Sequence, residues 1–568
     1  MRLGSTPRRS PAHRPPTRRP LARLSAVAAA AVLVVAGCVP QEGQGPGETP
    51  STGQSDNGGA GSGDGTTDGT SGDGQELATL GTSAAKDLPT DPAEDPAYAA
   101  YYEQDITWGP CDEVEGGSEL ECGTVTVPMV WNDPGAGDID LAVARHAASG
   151  NRTGSLILNP GGPGGSGVDF TPSAPFIFSR PVVDAYDIIG FDPRGVARSA
   201  GIQCLSDEET DEYLAGTGDM ATEDPLEEGL AWMKRIAAGC QQDSGELLPY
   251  LDTYSAARDM DVLRAAVDSE QLDYFGYSYG TYLGATYADL YPERVGKFVL
   301  DAALDPSSTL DEISAGQAEG FELATDAFLE DCLAQGDSCP FKGEPAEAKQ
   351  QLQNFFDSIE AQPLETSDPQ RPLTVSLAQS AVLLLMYEDG LWQVGRDALA
   401  QGMQGDGSAL LQIADLSSER QPDGSYKGNG MFAINAINCL DHPGIADQDW
   451  QAKEAERLAA EYPTFGPSMG YGATMCAQWP VPPLREPAPI SAEGAGPIVV
   501  IGTTGDPATP YRWSQSLAEQ LDDAVLLTFE GNGHTAYGRS GGCIEEAVDA
   551  YLLEGTTPQD GLTCSSGG

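Results

Sequence analysis

Short apolar runs that end in glycine-rich or polar loops occur in both the first and the last part of the chain. Residues 122–130 and 139–144 alternate between apolar and polar positions, which is typical of strands with one solvated face. The later runs are mainly apolar and predict further strands, of which 155–158 and 497–501 are expected to be buried. These runs are 155–158, 186–191, 272–276, 295–300, 497–501 and 524–529.

Helical patterns separate several of these runs, as at 256–267, and a last helix is predicted at 545–553. Strands that alternate with helices predict the α/β class, with a mostly parallel, doubly wound sheet. Ligands bind to such sheets at the carboxyl ends of the strands. The glycine-rich stretch 159–167 and Ser278 both follow predicted strands, so we expect both at that edge.

The pattern changes between residues 305 and 489, where helical periodicity dominates and strand signals are few. The predicted helices cover 310–333, 345–359, 377–386, 391–401 and 450–461. Because this segment follows a core strand, we interpret it as a helical cap insertion over the site. The predicted core then consists of 91–304 and 490–568.

Residues 1–38 have the pattern of an export signal: arginines without acids, then the apolar stretch 24–36. The stretch ends in Val35-Ala36-Gly37-Cys38, which resembles a bacterial lipobox and predicts lipidation of Cys38. An ordinary signal peptide with a chance cysteine is the alternative. Residues 39–90 are rich in glycine, serine, threonine and aspartate, and they predict a disordered stalk.

The charge balance is strongly acidic, with 30 Lys+Arg against 86 Asp+Glu. Nucleic-acid binding requires a basic surface, so we predict no nucleic-acid partner. Ten cysteines remain after Cys38. An even number of cysteines in an exported protein predicts disulfides. We expect them to pair with their neighbours in sequence. No metal site is predicted, because no C-x-x-C motif occurs and the histidines lack ligand spacing.

Residues 276–280 form a G-x-S-x-G motif between a predicted strand and a helical pattern, which is the setting of a nucleophile elbow. Ser278 is therefore the candidate nucleophile, and it requires a base. His534 is the candidate base, since it follows a strand late in the chain; His442, in the cap segment, is the alternative. The other two histidines are not candidates for the base: His13 is removed with the signal segment, and His146 precedes the glycine-rich stretch.

The acid that orients the base is expected between the serine and the histidine. Asp506 directly follows a strand and is the candidate; Asp301 and Asp305 compete with it. The expected oxyanion donors are the backbone N–H groups of Tyr279 and Gly162, with Gly161 as the alternative. No lysine follows the glycines at P-loop spacing, so we predict no bound nucleotide and no cofactor.

These motifs together resemble secreted bacterial tripeptidyl aminopeptidases, which belong to the prolyl-iminopeptidase-related group of the α/β-hydrolase fold. The segments that carry the resemblance are 159–167, 192–195, 276–284, 505–510 and 533–534. Pro160 stands where prolyl iminopeptidases usually have histidine, which argues against strict proline specificity. The resemblance implies release of short peptides, expected to be tripeptides, from free N-termini. Asp441 is the expected anchor of the substrate amine or a structural acid, and Thr509 is expected to line the pocket.

We therefore predict an extracytoplasmic serine aminopeptidase, anchored to the membrane through Cys38, that acts on peptides with a free N-terminus. Related lipid-anchored proteins of the group are described as carboxylesterases, so a carboxylesterase or lipase of the same fold is the first alternative. A surface-binding lipoprotein without catalysis is the second.

Overall fold

The structure is a computed structural model, and it describes residues 88, 89, 91–218, 225–445, 447–472 and 476–565. The predicted signal segment, Cys38 and nearly all of the predicted stalk lie outside these residues. Within the described residues, no helix is long and apolar enough to span a bilayer.

One sheet crosses the molecule, and its strands follow the order β1-β2-β3-β5-β4-β6-β7-β8-β9-β10. The pairs formed by β1 with β2, β2 with β3, and β3 with β5 are antiparallel, and all other neighbours are parallel. The strands are β1 Gly109–Pro110, β2 Glu121–Pro128, β3 Asp138–His146, β4 Gly154–Asn159, β5 Tyr186–Phe191, β6 Leu272–Tyr277, β7 Val295–Asp301, β8 Ile498–Gly505, β9 Ala524–Asn532 and β10 Thr563–Ser565.

Helices of the described residues cover both faces of the sheet and form the segment between β7 and β8. Those before β7 are α1 Ala99–Tyr102, α2 Gly167–Phe170, α3 Ala174–Ile177, α4 Arg180–Ala185, α5 Asp207–Ala215, α6 Pro225–Ser244, α7 Thr253–Ala266 and α8 Tyr279–Leu290. The later ones are α9 Leu310–Ala334, α10 Pro345–Ala361, α11 Val375–Met386, α12 Trp392–Gly402, α13 Ser408–Ser417, α14 Gly430–Asp441, α15 Gln448–Glu461, α16 Gly466–Met469, α17 Tyr511–Gln520 and α18 Cys543–Glu554.

The sheet is buried on both sides, which explains why the runs of its central strands are mainly apolar. Every residue of β5 is buried, and so are five of the six residues of β4. Met260 and Leu283, from α7 and α8, pack in the core on one face. Val182 and Val548, from α4 and α18, pack in the core on the other. The mostly parallel α/β fold predicted from the sequence is therefore confirmed.

Between β7 and β8 the described chain contains the helices α9 to α16 and no named strand, and these helices have a core of their own. Phe321, Phe328, Leu384 and Phe465 belong to that core and are at most 2% exposed. We call this set of helices the cap. One of them, α14, has no counterpart in the sequence prediction, because residues 431–437 are buried in succession and no polar stripe remains to show helical periodicity.

Five disulfides form between cysteines that are neighbours in sequence, as predicted. They are Cys111–Cys122, Cys204–Cys240, Cys332–Cys339, Cys439–Cys476 and Cys543–Cys564. Disulfides persist in oxidising compartments, so they indicate an extracytoplasmic protein.

Candidate active site

Ser278 occupies a sharp turn between β6 and α8. Its backbone has φ 55° and ψ −124°, a conformation that costs free energy for a residue with a side chain. A Cβ atom at Gly276 would lie 2.4 Å from the carbonyl oxygen of Gly280, so the strand and the helix can approach only with glycine at position 276. This packing places Ser278 in the wall of the cavity described below.

Asp506 and His534 form a buried hydrogen-bonded pair in the loops that follow β8 and β9. His534 Nδ1 lies 2.9 Å from both carboxylate oxygens of Asp506. The backbone N–H groups of Ala508 and Thr509 also donate to Asp506 Oδ1 and fix the orientation of the carboxylate. Because an ionised carboxylate only accepts hydrogen bonds, the His534 proton belongs on Nδ1, and Nε2 is left as the basic nitrogen.

Asp301, the competing acid, lies at the end of β7 and connects the serine turn to the histidine loop. Its backbone carbonyl accepts the Ser278 N–H at 2.9 Å. Its carboxylate accepts the N–H groups of Ala536 and Tyr537 at 2.8–3.1 Å, just beyond His534. Burial raises the pKa of Asp301 to about 6. The side chain thus holds the histidine loop and makes no hydrogen bond to the imidazole.

The third candidate acid, Asp305, makes its hydrogen bonds to residues outside the catalytic group. Its Oδ1 accepts hydrogen bonds from Ser307 and from the Gln520 side chain, both at 2.6–2.9 Å.

Thr509 contacts both members of the Asp506–His534 pair. Its hydroxyl donates to Asp506 Oδ2 at 3.0 Å and lies 3.3 Å from His534 Nδ1. Thr509 also lines the cavity that contains Ser278, the position predicted for it. The cap contributes a further restraint, because the His534 N–H donates to the carbonyl of Tyr387 at 2.7 Å.

The two glycines considered as oxyanion donors differ in whether their N–H is free. The Gly161 N–H donates to the Asn159 side chain at 2.9 Å. For Gly162, no acceptor for the N–H occurs among the residues that the structure describes. A Cβ at Gly161 would lie 2.5 Å from the Tyr277 carbonyl oxygen, so glycine is needed there for the loop to approach the nucleophile. The geometry therefore favours Gly162, together with Tyr279, whose N–H begins α8.

His442, the competing base, is buried at the cavity wall. Its Nδ1 lies 3.1 Å from the Ser308 carbonyl oxygen, and its ring packs against Tyr282. Burial lowers the pKa of His442 to about 4, and no carboxylate partner occurs for it in the described parts of the chain. The remaining histidine, His146, ends β3 and pairs with Ile188 of β5.

Asp441, the expected amine anchor, does not line the cavity. Its carboxylate faces the core, where Thr253 Oγ1 donates to it at 2.5 Å and the Thr253 N–H at 3.1 Å. Of the two roles predicted for Asp441, this geometry favours the structural one; the local sequence could not separate them, because a helix-end aspartate in the cap has the same sequence whether it faces the cavity or the core. The structure thus places Asp441 behind the site.

A cavity of about 540 Å³ lies between the sheet edge and the cap. The core supplies Ser278, Gly162 and Thr509, and the cap supplies Asn435 and Asn438 of α14. Its volume is in the range of small-molecule and peptide sites. It also contains Glu419, a residue absent from the sequence predictions, because nothing in its local sequence distinguishes it from other loop acids.

The fold and this site define a serine hydrolase with the α/β-hydrolase fold. A family model described as "TAP-like protein" matches residues 462–564. Serine protease Hip1 of Mycobacterium tuberculosis is 36% identical over 487 residues, covering 81% of this chain and 91% of the relative. Carboxylesterase B of the same organism is 36% identical over 474 residues, with 81% and 90% covered. Tripeptidyl aminopeptidase of Streptomyces lividans is 32% identical over 469 residues, with 78% and 84% covered.

These relatives share most of their length with this chain at 30% identity or more. The chain therefore belongs to the TAP-like family of serine hydrolases, as its motifs predicted.

Proposed function

We propose that the protein is an extracytoplasmic serine aminopeptidase that releases short peptides, expected to be tripeptides, from free N-termini. Ser278 Oγ attacks the peptide carbonyl while His534 Nε2 accepts its proton and Asp506 orients the imidazole. The N–H groups of Tyr279 and Gly162 stabilise the oxyanion. The imidazolium of His534 then protonates the leaving amine, and water hydrolyses the acyl-enzyme.

The observation that carries the nucleophilic mechanism is the buried Asp506–His534 pair at the same sheet edge as the Ser278 turn. Asp301 supports it, because this one residue bonds both the Ser278 N–H and the loop after His534. A base oriented by a carboxylate beside a strained serine turn is what acyl transfer requires.

The cap favours action at chain ends. The backbone of Gly430 packs on the glycine-rich stretch 159–167, which contains Gly162 and is called the oxyanion loop below. A Cβ at Gly164 in this loop would lie 2.8 Å from the Gly430 carbonyl oxygen. Ser278 and Gly162 are thus enclosed between the sheet edge and α14. A long polypeptide has little space to continue past the cleaved bond on that side, whereas a short N-terminal segment fits in the cavity.

Glu419 is the candidate partner of the substrate ammonium. It lines the cavity in a left-handed backbone conformation with φ 58°. Its carboxylate makes no hydrogen bond or ion pair within the described residues. The cations Arg198 and Lys427, which line the same cavity, are paired with Asp169 at 3.0 and 3.5 Å. Burial, and then Asp169, raise the pKa of Glu419, and the charge of Lys427 offsets part of that rise. A cation is the ligand that such a carboxylate would bind best.

Unblocked tripeptide anilides are expected to be hydrolysed at least about 30-fold faster, in kcat/KM, than their N-acetyl forms. The reason is that acetylation leaves the Glu419 carboxylate without its cation, a loss of about 2 kcal/mol or more for a desolvated charge pair. Glu419→Gln should remove most of this discrimination through KM and leave the N-acetyl substrate unaffected. Release of the intact tripeptide, followed by mass spectrometry, checks the step length.

Asp207→Asn is the matched control, because Asp207 is the other carboxylate at the cavity wall but is exposed at the start of α5. It should retain the preference for free N-termini. Equal rates for blocked and unblocked peptides would contradict the aminopeptidase proposal.

A carboxylesterase is the second candidate function. The cavity wall includes a group of apolar side chains, namely Leu304, Leu310, Ile313, Met431 and Phe432. Such a wall suits an acyl chain as well as an apolar side chain, and one similar relative bears the name carboxylesterase B. Hydrolysis of short acyl esters with no turnover of any unblocked peptide would establish this alternative.

We further propose that a lipid on Cys38 attaches the enzyme to the membrane. The lipobox-like sequence Val35-Ala36-Gly37-Cys38 supports this, and residues 39–90 are long enough to hold the enzyme away from the surface. In the native host, the wild-type protein should partition into the detergent phase of a Triton X-114 extract. Cys38→Ala should move to the aqueous phase with unchanged specific activity. A wild-type protein found only in the aqueous phase would refute the anchor.

A further inference from the structure

The cap helix α14 contacts the active site at one end and the core at the other. Asn435 and Asn438 line the cavity, and Gly430 packs on Gly164 of the oxyanion loop. Asp441, its last residue, is 2% exposed and contacts the first residue of α7. The helix therefore joins the substrate cavity to a buried carboxylate behind it.

A chain of hydrogen bonds runs from Asp441 to the residue that follows the nucleophile. Thr253 Oγ1 donates to Asp441 Oδ2 at 2.5 Å, and Tyr279 Oη lies 2.5 Å from the same threonine oxygen. A threonine hydroxyl has one proton. When Asp441 is ionised, that proton goes to its carboxylate, and the Tyr279 hydroxyl then donates to Thr253. The carboxylate thus sets the direction of both bonds.

Asp441 is buried, and the hydrogen bonds from Thr253 offset part of the cost of its charge there. Burial, followed by repulsion from Asp252, raises the pKa of Asp441 to about 7. The first N–H of α7 donates to the carboxylate, and the positive end of that helix offsets part of the cost. Thr253 and Tyr279 are also buried, so no solvent molecule competes for their hydroxyls.

We propose that Asp441 is a positioning residue which, through Thr253, holds Tyr279 in the orientation in which its backbone N–H stabilises the oxyanion. This inference rests on the proposed function, in which Tyr279 and Gly162 are the oxyanion donors. Tyr279 begins α8 immediately after the strained turn at Ser278, so its anchored side chain limits how that backbone rotates. Because α14 lines the cavity and ends in Asp441, the position of the cap and the orientation of the Tyr279 N–H are linked.

The test uses variants that delete side-chain hydrogen bonds of this chain and retain the backbone N–H of Tyr279. Tyr279→Phe and Thr253→Val should each lower kcat about 10-fold and change KM by less than about twofold, because the lost orientation affects the transition state. Affinity for a peptide boronate, whose serine adduct is tetrahedral, should fall by the same factor as kcat. Affinity for the product tripeptide should not change. Thr253→Ser keeps the hydroxyl and should restore both quantities.

Asp441→Asn should reproduce the Tyr279→Phe effect, and the double variant should lose little more than either single one, because both act through one chain. Asp261→Asn is the control: it removes a different buried carboxylate, which lies on α7 and pairs with Arg264 and Arg294. It should lower the melting temperature without changing boronate affinity.

If Asp441→Asn does not fold, Tyr279→Phe and Thr253→Val decide the question alone. Wild-type kcat and boronate affinity in both of them would overturn this inference. If Ser278→Ala in the same assays abolishes turnover while these two variants are unchanged, only the positioning role fails. If Ser278→Ala retains turnover, the proposed function fails.

Discussion

Ser278→Ala is expected to lower kcat by about 10⁵-fold or more for every substrate that the protein hydrolyses, since removal of the nucleophile from a serine hydrolase leaves only the contribution of binding and the oxyanion donors. The turn that carries Ser278 is strained, with φ 55°, and alanine adopts such a conformation no better than serine does. The variant should therefore fold with unchanged or slightly altered stability. Single-turnover and steady-state assays on an unblocked tripeptide anilide measure the loss.

Two further measurements make this result specific. A fluorophosphonate probe should label the wild-type protein at one site and should not label Ser278→Ala. Ser155→Ala, a buried serine within β4 of the same sheet, should retain labelling and turnover. Turnover in Ser278→Ala within 10-fold of wild type would refute the mechanism and, with it, the assignment of His534 and Asp506.

Asp506→Asn is expected to lower kcat by about 10³- to 10⁴-fold at neutral pH with a small change in KM. An asparagine amide facing His534 Nδ1 favours the tautomer that carries its proton on Nε2, and this tautomer cannot accept the Ser278 proton. The hydrogen bonds from the Ala508 and Thr509 N–H groups should hold the asparagine oxygen in place, so the fold should persist. Steady-state kinetics and a thermal melt of the same sample check both statements.

Asp301→Asn provides the contrast, because the two acids follow neighbouring strands and are both buried. Asp301 accepts the N–H groups of Ala536 and Tyr537, so its loss should lower the free energy of unfolding by about 1–3 kcal/mol and reduce kcat far less than Asp506→Asn does. A larger loss of kcat in Asp301→Asn than in Asp506→Asn would reverse the assignment of the acid.

The pH dependence of stability distinguishes the two variants as well. Burial raises the pKa of Asp301 to about 6 from the ordinary value of 3.8. Between these values the folded protein holds a proton that the unfolded chain has lost, so this group's contribution to stability falls as the pH rises through that window. Asp301→Asn should lack this part of the pH dependence.

The position of each candidate catalytic residue along the chain was predictable, because the signal for each is local. Ser278, Asp506 and His534 each follow a short apolar run, and a strand that ends in a glycine-containing loop can be recognised from about ten residues. Because β6, β8 and β9 run parallel in one sheet, the three loops that follow them lie at one edge.

The partners of the acids were not predictable, since they depend on residues that are far apart in the chain. Asp301 and Asp506 both occur at strand ends. Only the packing of the histidine loop shows that Asp506 bonds the His534 ring, whereas Asp301 bonds the backbone beyond it. Asp441 bonds Thr253, 188 residues away, and thereby leaves the cavity wall. Glu419 reaches that wall from a loop between two cap helices.

By itself, the sequence determined the α/β fold, the helical character of the cap and the order of Ser278, Asp506 and His534, whereas the predicted pairing of neighbouring cysteines needed the structure for its confirmation. Periodicity and turn residues are properties of short segments, and they specify elements directly. Only the tertiary structure decided which carboxylate faces His534, which glycine N–H is free beside Ser278, and which acids line the cavity. Those choices follow from side-chain packing between distant segments, where burial and hydrogen-bond geometry select one partner among several of the same residue type.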